Sequence, residues 1–454
     1  MSGDCAFDVV IVGAGGAGLA AAIESAAAGA RTIVFEKEAS PASSSTAIAV
    51  GRFSFAGTDI QLQQGVHDSN ERLYADIMAT GRQCNDQALV RAYVDHQLAG
   101  YEWLCSLGVR WSPTVTAVAG MSVARGHLTD ARVLVETLHR AAVQRGAHFD
   151  FATPVAGLMT TDGHVHGVTL ADGRRIAARD RVILACGGFA RDPERLRRID
   201  PRFGEVVATS GPGHTGDGLR MAEALGAETR DIEHVQPSFE LHERGSTSAD
   251  IALFYYRGGV IVNRRGERFV NESISYKDIA RACLDQPGRV GYQIFDQRVF
   301  DEAVAAQAAS GQSSPMTLDA HKIGLLECGT TIAVLASRIG VPAVTLESTL
   351  AQYNADVVGG TDRAFGRRTL AGDVGTSRRL DAPPFYAFAT IGHLLATYGG
   401  ITVDARMRVL AGGRPIPGLY AAGEAIGGFH GASYHSGTAL GKAVLFGRIA
   451  GGLS

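Results

Sequence analysis

The chain of 454 residues has only six cysteines, and they show none of the spacings used by metal sites or disulfide frameworks. They are scattered along the chain at Cys5, Cys84, Cys105, Cys186, Cys283 and Cys328. Because no Cys-x-x-Cys pair occurs, the pattern favours neither a zinc site nor a covalently attached c-type haem. We therefore predict that the cysteines are reduced packing thiols and that no metal is bound.

Long apolar runs and an excess of positive charge are also missing. Lysine and arginine number 43 against 46 aspartates and glutamates, so the net charge is −3 and a nucleic-acid partner is not expected. No run approaches the roughly 18 apolar residues that span a bilayer. No basic segment followed by an apolar one marks a secretory signal. We expect a cytoplasmic protein without a membrane span.

Glycine, in contrast, is abundant, with 57 residues against a usual share of about 7%. With 46% hydrophobic and 20% charged residues, the rest of the composition is that of an ordinary globular protein. The length suits about two large domains. The glycines follow no collagen period, so they indicate many positions where the backbone turns sharply or approaches a ligand.

The first strand and the loop after it carry a dinucleotide-binding fingerprint. Residues 8–12 (DVVIV) are typical of a buried parallel strand, and a helix of small residues follows Gly13, Gly15 and Gly18. In this motif the first glycine allows the tight turn, the second lets the pyrophosphate approach the backbone, and the third lets the helix pack on the strand. A second strand ends at Glu36, whose carboxylate can accept hydrogen bonds from the adenosine ribose. The spacing predicts dinucleotide binding.

A second Gly-x-Gly-x-x-Gly pattern, at Gly211, Gly213 and Gly216, indicates something different. The residues before it form a poor strand, Pro212 lies inside the loop, and no strand ending in an acid follows. We interpret it as a glycine-rich loop before a helix. This interpretation leaves the chain without an evident NAD(P)H domain.

Patterns farther along the chain indicate an interrupted α/β fold. Short apolar runs with Asp-Gly turns over 149–170 predict a small antiparallel sheet. A capping-box-like segment, 345–348 (TLES), predicts the start of a late helix, and strand and loop patterns typical of the first part return near 398. We therefore predict an α/β protein with a discontinuous Rossmann-type nucleotide-binding domain, 1–233 and 398–454, and an inserted α+β capping domain, 234–397.

In their order along the chain, the motifs resemble the flavoprotein subunits of fumarate reductase and succinate dehydrogenase and their soluble relatives, including the 3-ketosteroid dehydrogenases. The resemblance runs nearly end to end. It rests on segments such as VVIVGAGGAGLAAAIESAAAGA (9–30), SSTAIAVGRFSFAGT (44–58), VILACGGFA (182–190), TGDGLRMAEALGA (215–227), GVIVNRRGERFVNES (259–273), YGGITVD (398–404) and IPGLYAAGEAIGGFHGA (416–432). It implies bound FAD, a mobile cap, and hydride transfer between flavin N5 and a carbon beside an activated C–C bond.

The resemblance also implies which residues contact FAD. These are Gly13, Gly15, Gly16, Ala17, Gly18, Glu36, Lys37, Ser45, Thr46, Gly51, Gly187, Asp217, Glu424, Ala439 and Leu440. Glu424 would hold the ribityl chain, its alternative being a solvated loop acid, and a closing helix from near Gly437 would face the flavin pyrimidine. Some relatives attach FAD covalently through a histidine where this chain has Ser45, so we expect noncovalent FAD.

Three positions depart from the fumarate reductase pattern. Tyr276 stands where the arginine proton donor is found, four residues after the Glu272 of FVNE, and Tyr434 replaces the arginine that clamps a substrate carboxylate. Ala396 replaces a substrate-binding histidine. A site without these groups suits a dianion poorly, because buried carboxylates need paired donors. We therefore do not expect turnover of fumarate or succinate.

Tyrosines in those two positions resemble the 3-ketosteroid dehydrogenases. The resemblance implies that Tyr276 exchanges the proton α to a ketone, while Tyr434 and the Gly437 amide hold the carbonyl oxygen. Tyr398 and His435 are candidate substrate contacts. Packing roles for both catalytic tyrosines, and a His435 satisfied by the protein itself, are open alternatives.

The predicted function is FAD-dependent α,β-dehydrogenation of a ketone, with a cyclic ketone favoured, or the reverse enone reduction. Hydride would pass between the substrate Cβ and flavin N5, and electrons would be exchanged with an external acceptor or donor. One alternative is a fumarate- or urocanate-type reductase of an unsaturated carboxylate. Another is a flavin-binding module without catalysis.

Overall fold

A computed structural model describes residues 7–118, 120–235, 237–310, 313–372 and 374–452. The α-helices are α1 (Gly16–Ala27), α2 (Ser45–Ile48), α3 (Asp59–Gln63), α4 (Asn70–Thr80), α5 (Gln87–Ser106), α6 (Ala131–Gln144), α7 (Pro193–Ile199), α8 (Asp217–Glu223), α9 (Tyr276–Leu284), α10 (Gln297–Ser310), α11 (Ala320–Ile323), α12 (Ile332–Ile339), α13 (Ala343–Val358) and α14 (Thr438–Gly451). The strands are β1 (Phe7–Val12), β2 (Thr32–Phe35), β3 (Arg52–Ser54), β4 (Gly126–Leu128), β5 (His148–Asp150), β6 (Val155–Thr161), β7 (His164–Leu170), β8 (Arg175–Leu184), β9 (Val207–Ala208), β10 (Thr229–Arg230), β11 (Ser238–His242), β12 (Val260–Val262), β13 (Val290–Asp296), β14 (Glu327–Gly329), β15 (Phe385–Leu394), β16 (Gly400–Ile401), β17 (Arg408–Ala411) and β18 (Arg414–Ala421).

The chain divides into two units. The first comprises Met1–Thr116, Arg125–Val235 and Leu395–Ser454, and the second comprises Ala117–Ala124 and Gln236–Leu394. Within the part of the chain that the structure describes, no helix is both long enough and apolar enough to cross a membrane.

The first unit is built on a parallel sheet with the strand order β5-β2-β1-β8-β18. In the central strand β1, Val9, Val10 and Ile11 are fully buried, as a parallel strand covered on both faces requires. Although β18 comes from the C-terminal part of the chain, it pairs with β8 in this N-terminal sheet. The predicted discontinuous Rossmann-type α/β fold is therefore confirmed.

An antiparallel extension covers residues 155–170, as predicted, whereas residues 149 and 150 belong to β5, which is parallel to β2. Strand β6 pairs with β7, and β7 pairs with the first part of β8. Asp162 and Gly163, which connect β6 and β7, have φ angles of +50° and +77°. Two consecutive positive φ angles match the strand twist of a tight hairpin, which explains the Asp-Gly pair at this turn.

Helices α1 and α14 pack at close range because both present small residues. A Cβ at Gly447 would lie 2.2 Å from the carbonyl oxygen of Ala17, and one at Gly451 would lie 2.3 Å from that of Ala21. The alanine-rich sequence of α1 therefore serves this contact as well as helix formation. The contact brings the C-terminal helix beside the helix that follows the nucleotide-binding loop.

The second unit contains an antiparallel sheet with the order β11-β15-β13-β12, and β14 also pairs with β15. Its apolar core joins strand residues Val260, Ile294 and Ala387 to Leu335 of α12 and Leu350 of α13. Helix α9 packs on β11 and β15. This packing positions the start of α9, where Tyr276 lies.

One predicted helix start is wrong. Segment 345–348 does not precede a helix, because α13 begins at Ala343, directly after Pro342. Pro342 has a φ of −63°, and proline at a helix start is favoured by its fixed φ and its missing N–H. Thr345 therefore lies inside the first turn of the helix.

Candidate active site

The turn between β1 and α1 has the backbone geometry of a nucleotide-binding loop. Gly13 has a φ of +105°, and a Cβ there would lie 2.5 Å from the carbonyl oxygen of Ala185. A Cβ at Gly18 would lie 1.9 Å from the carbonyl oxygen of Gly13. At Gly15 the nearest atom to a Cβ would be 3.7 Å away. Internal packing therefore explains Gly13 and Gly18 but not Gly15, which fits a position kept bare for a phosphate.

The N-terminus of α1 is bonded to the segment of α2. The Gly16 N–H donates to Thr46 Oγ1 at 3.0 Å, and the Gly211 N–H donates to Ser45 Oγ at 3.0 Å. Ala17 is buried in the same turn. These bonds hold the two glycine-rich loops to one short segment, as a site for an elongated cofactor requires.

Glu36 follows β2 and lies against the nucleotide-binding turn. Its Oε2 accepts a hydrogen bond from the Ala14 N–H at 2.8 Å, and its Oε1 accepts one from the Glu38 N–H at 2.9 Å. A carboxylate can accept further hydrogen bonds at both oxygens. The position of Glu36 therefore fits the hydroxyl groups of an adenosine ribose.

Lys37 and Asp217, both expected to contact FAD, pair with each other. Lys37 Nζ lies 2.6 Å from Asp217 Oδ2 and 2.7 Å from Thr215 Oγ1. The pair therefore anchors the second glycine-rich loop beside β2. Gly51 and Gly187 have φ angles of +80° and +75°, so their conformations favour glycine whatever ligand they meet.

Glu424 lies in a polar cluster with His214 and Thr397. Its Oε1 accepts the Thr397 N–H at 2.5 Å, and its Oε2 lies 3.1 Å from His214 Nε2. Burial by itself would raise the pKa of Glu424, but the imidazole and the Thr397 amide hold that pKa below its usual value. His214 Nδ1 is buried and has no hydrogen-bond partner among the described residues. His214 Nε2 also accepts the Gly188 N–H at 2.7 Å, so Nδ1 is the ring nitrogen that is left for a polar group of FAD.

Tyr434 and Gly437 converge just before α14. The Gly437 N–H donates to the Tyr434 hydroxyl at 2.9 Å. The Tyr434 ring stacks on Tyr398, with centroids 5.2 Å apart and planes 8° apart, and His430 meets both rings edge-on. These aromatic neighbours hold the phenol ring, so its hydroxyl is kept at the amide. Tyr398 itself is 2% exposed.

Ala439 and Leu440 lie in the first turn of α14 and are partly exposed. Amide N–H groups in a first helical turn have no intrahelical partner and carry positive potential. This end of α14 can therefore receive developing negative charge, which is the requirement of a flavin pyrimidine during reduction.

His435 is buried, and hydroxyl groups face both of its ring nitrogens. Its Nε2 lies 3.3 Å from Ser54 Oγ, and its Nδ1 lies 3.4 Å from Thr80 Oγ1. Burial lowers the pKa of His435 to about 3, and the positive charge of Arg125 contributes. The imidazole is therefore neutral at physiological pH.

In the second unit, Tyr276 is the first residue of α9 and is 7% exposed. The Tyr256 hydroxyl donates to the Ile274 carbonyl oxygen at 2.6 Å and accepts the backbone N–H of Tyr276. Lys277 Nζ lies 5.2 Å from the centroid of the Tyr276 ring and donates to Ser238 Oγ. The turn that presents Tyr276 is therefore held by a second phenol, and a cation lies over the Tyr276 ring.

The structure adds polar groups that the sequence does not single out. Arg125 is fully buried and forms ion pairs with Asp68 at 3.0 Å and Asp76 at 2.9 Å. Asp68 lies 57 positions from Arg125 in the chain, so no local pattern reveals the pair. His214 had one available signal, because it directly precedes the TGDG segment of the second glycine-rich loop.

Within the described ranges, no group of three or more His, Cys, Asp or Glu side chains could hold a metal ion. Cys84, Cys105, Cys186, Cys283 and Cys328 are free thiols, and Cys5 lies outside the described residues.

Known proteins are similar to this chain over most of its length. The chain matches the FAD binding domain family over residues 8–440. It is 33% identical over 456 residues, 98% of this chain and 76% of the relative, to a fumarate reductase (cytochrome) of Shewanella frigidimarina. It is 34% identical over 361 residues, 72% of this chain and 61% of the relative, to a 4-oxocyclohexanecarboxylate 2-dehydrogenase of Sinomonas cyclohexanicum.

A solved structure with the same fold is 3-ketosteroid-Δ4-(5α)-dehydrogenase from Rhodococcus jostii RHA1, in complex with 4-androstene-3,17-dione. It has a TM-score of 0.76 and 25% identity, and the match covers 98% of this chain and 96% of that one. These matches confirm the predicted resemblance to fumarate reductase flavoproteins and their 3-ketosteroid dehydrogenase relatives. They also confirm the predicted FAD cofactor and the predicted reaction class. The chain therefore belongs to the FAD binding domain family, and it is an FAD-dependent oxidoreductase that acts on CH–CH groups.

Proposed function

We propose that this enzyme removes hydrogen from the carbons α and β to the carbonyl of a cyclic ketone and so forms an enone. The observation that carries the proposal is the 2.9 Å contact between the Tyr434 hydroxyl and the Gly437 amide. A phenol hydroxyl that accepts this bond keeps its own hydrogen for a carbonyl oxygen, which gains negative charge as the α-proton leaves. Neither group is a cation, so the pair suits a neutral ketone better than a dicarboxylate.

Tyr434 donates its hydroxyl hydrogen to the substrate carbonyl in the proposed reaction. A hydroxyl that accepts a hydrogen bond from an amide is polarised and becomes a stronger donor through its own hydrogen. The Gly437 N–H therefore strengthens the phenol. The stacked Tyr398 ring keeps the phenol in one orientation, so little reorganisation is needed as charge develops.

Tyr276 takes the α-proton. A phenol is a weak base unless its anionic form is stabilised, and the Lys277 ammonium 5.2 Å from the ring centroid supplies a stabilising positive charge. The Tyr256 hydroxyl bonds on both sides of the turn that starts α9 and so holds the base in position. The electron pair of the broken α C–H bond becomes the new C=C bond.

Bound FAD supplies the hydride acceptor for the β carbon. The residues that fit the cofactor are those of the β1–α1 turn, Glu36, the Ser45–Thr46 segment, the His214–Glu424 cluster and the start of α14. We propose that FAD is held noncovalently, because Ser45 offers a hydroxyl and no imidazole, and that an external acceptor takes up the electrons.

Two of the similar proteins support a ketone substrate by their names. One is a dehydrogenase of 4-oxocyclohexanecarboxylate, which is a cyclic ketone, and the other was solved with a steroid dione. The reverse reaction, enone reduction, uses the same residues, with Tyr276 returning the proton to the α carbon.

A second candidate function is reduction of an unsaturated carboxylate. It is favoured by the 33% identity to a fumarate reductase over 98% of this chain. The tyrosines at positions 276 and 434 argue against a dicarboxylate such as succinate, because neither phenol offers a positive charge to a carboxylate.

The test uses the FAD-loaded protein under anaerobic conditions. Cyclohexanone, 4-oxocyclohexanecarboxylate and succinate are added separately, and loss of the oxidised-flavin absorbance is followed. We expect bleaching by a ketone and none by succinate. Bleaching by succinate alone would replace the proposal with the second candidate.

The Tyr276→Phe variant tests the acid–base role. We expect the rate of flavin bleaching by the ketone to fall about 10²- to 10⁴-fold, with FAD still bound. Tyr292→Phe, which changes another buried tyrosine of the second unit, is the matched control. A Tyr276→Phe variant with the wild-type rate and full FAD content would refute the role of Tyr276.

A further inference from the structure

Arg52 is a buried arginine whose side chain has no ion pair or hydrogen bond with any residue that the structure describes. It is the first residue of β3, and it is 8% exposed. Its Nε is buried and has no hydrogen-bond partner among the described residues. Arg125, in contrast, forms ion pairs with Asp68 and Asp76, although its Nε also lacks a hydrogen-bond partner among the described residues. Burying an unpaired charge is costly, so the state of Arg52 points to an anion that belongs beside it.

The Arg52 side chain extends over Gly126 of the neighbouring strand β4. In the β3–β4 ladder, Ser54 is paired with Gly126, and the Arg52 Cδ lies only 3.2 Å from the position that a Cβ would take at Gly126. Arg52 and Ser54 project from the same face of the strand, because side chains alternate. The glycine at position 126 therefore leaves room for the arginine to extend in this direction.

Ser54 connects this strand to the proposed oxygen-binding pair. The Ser54 N–H donates to the carbonyl oxygen of Gly437 at 3.1 Å, and the Ser54 Oγ lies 3.3 Å from His435 Nε2. Two residues of strand span about 7 Å. The backbone of Arg52 therefore lies about 7 Å along β3 from Ser54, whose N–H is bonded to Gly437, and this distance is similar to the length of a small cyclic molecule. The guanidinium and the Tyr434–Gly437 pair belong to the same unit of the protein.

We propose that Arg52 binds a carboxylate carried by the ketone substrate, so that the natural substrate is a cyclic keto acid. This inference rests on the proposed function and narrows its substrate class. A guanidinium binds a carboxylate through two parallel N–H···O bonds, which supplies orientation as well as affinity. A single arginine matches a substrate with one carboxylate and a ketone, and does not match a dicarboxylate.

Equilibrium binding to the oxidised, FAD-loaded protein tests the inference. The probes are 4-oxocyclohexanecarboxylate and cyclohexanone, which differ by the carboxylate, and perturbation of the flavin spectrum reports binding. We expect the wild type to bind the keto acid on the order of 10²-fold more tightly than cyclohexanone, and Arg52→Met to remove most of that difference. Arg52→Lys keeps the charge but loses the paired geometry, so it should retain part of the difference.

Arg110→Met is the matched control. It also removes one positive charge, and Arg110 is an exposed arginine of the same unit. It should bind both probes as the wild type does. The inference is overturned if Arg52→Met weakens the two probes equally or neither of them. It is also overturned if Arg52→Met and Arg52→Lys no longer hold FAD, since Arg52 would then serve the cofactor. The same conclusion follows if either variant shifts the flavin reduction potential and leaves the preference for the keto acid unchanged.

The two proposals can fail separately. If cyclohexanone bleaches the flavin and the carboxylate adds no affinity, the ketone dehydrogenase function stands and the role of Arg52 falls. If the keto acid binds through Arg52 but neither ketone bleaches the flavin, the role of Arg52 in anion binding stands and the proposed reaction falls.

Discussion

The amide nitrogen of Gly437 lies 2.9 Å from the hydroxyl of Tyr434, and the position of that amide is set by β3. A Cβ at Gly437 would lie 2.8 Å from the carbonyl carbon of Phe53, and the Ser54 N–H donates to the Gly437 carbonyl oxygen. The backbone at the start of α14 is therefore held against a strand from the N-terminal part of the chain. Because both members of the pair are held by other residues, the pair is preorganised.

Replacing Tyr434 by phenylalanine should remove the direct donor to the substrate oxygen. We expect kcat/KM for a cyclic ketone to fall about 10²- to 10³-fold, the usual effect of losing one such donor, while FAD stays bound. Steady-state kinetics with an artificial electron acceptor measure the loss. Tyr420→Phe is the control and should keep wild-type kinetics, because Tyr420 is a tyrosine of β18 that lies against Arg181 of β8. Full activity of Tyr434→Phe would contradict the proposed role.

Alanine at Gly15 and alanine at Gly18 should have different consequences. A Cβ at Gly18 would lie 1.9 Å from the Gly13 carbonyl oxygen, whereas the nearest contact of a Cβ at Gly15 among the described residues would be Thr46 Oγ1 at 3.7 Å. We expect Gly18→Ala to lower the thermal midpoint of the protein without FAD. Gly15→Ala should keep that midpoint and bind FAD weakly, because its methyl group would take the place of the phosphate. Calorimetry and flavin content of the two variants check this, and normal FAD binding by Gly15→Ala would contradict it.

His435 should make the protein less stable as the pH falls below about 6.5. Its pKa is about 3 in the folded protein against an ordinary value of 6.5. Between these values the unfolded chain binds a proton that the folded chain does not. The contribution to stability is therefore complete above pH 6.5 and is lost as the pH falls toward 3. Burial lowers the pKa of His127 and of His242 to about 4, which acts in the same direction.

Urea unfolding at several pH values measures this dependence. His435→Gln should show a shallower fall in the free energy of unfolding between pH 6.5 and 4 than the wild type. His96→Gln, at an exposed position, should keep the wild-type slope. Equal slopes for all three proteins would show that His435 is not held neutral in the fold.

Denaturation should release the cofactor completely. Ser45 stands where some relatives carry the attaching histidine, and its hydroxyl accepts the Gly211 N–H at 3.0 Å. After acid precipitation of the FAD-loaded protein, we expect all of the flavin in the supernatant and a colourless pellet. Flavin retained in a washed pellet would mean a covalent link through another residue.

Local motifs were the predictable part of this protein. The β1–α1 turn, Glu36 and the closing helix are each encoded within a short segment, because the geometry of one turn or one helix end depends on adjacent residues. The start of α13 was predicted wrongly because a capping-box pattern and a helix-starting proline lie a few residues apart, and the proline determines the helix start. The His214–Glu424 contact joins residues far apart in the chain, so no local pattern predicts it.

The amino-acid sequence alone predicts a nucleotide-binding turn after the first strand, and its resemblance to fumarate reductases places two tyrosines where those enzymes carry arginines. Which of these groups meet depends on the folded chain. Pairing of β18 with β8 and packing of α14 on α1 bring the C-terminal segment to the N-terminal loops, and this puts the Tyr434–Gly437 pair beside β3. The fold also determines that Arg125 has two carboxylate partners while Arg52, within the described part of the chain, has none at its Nε. Burial and hydrogen bonding depend on segments that are distant in the chain, and only the folded chain brings those segments together.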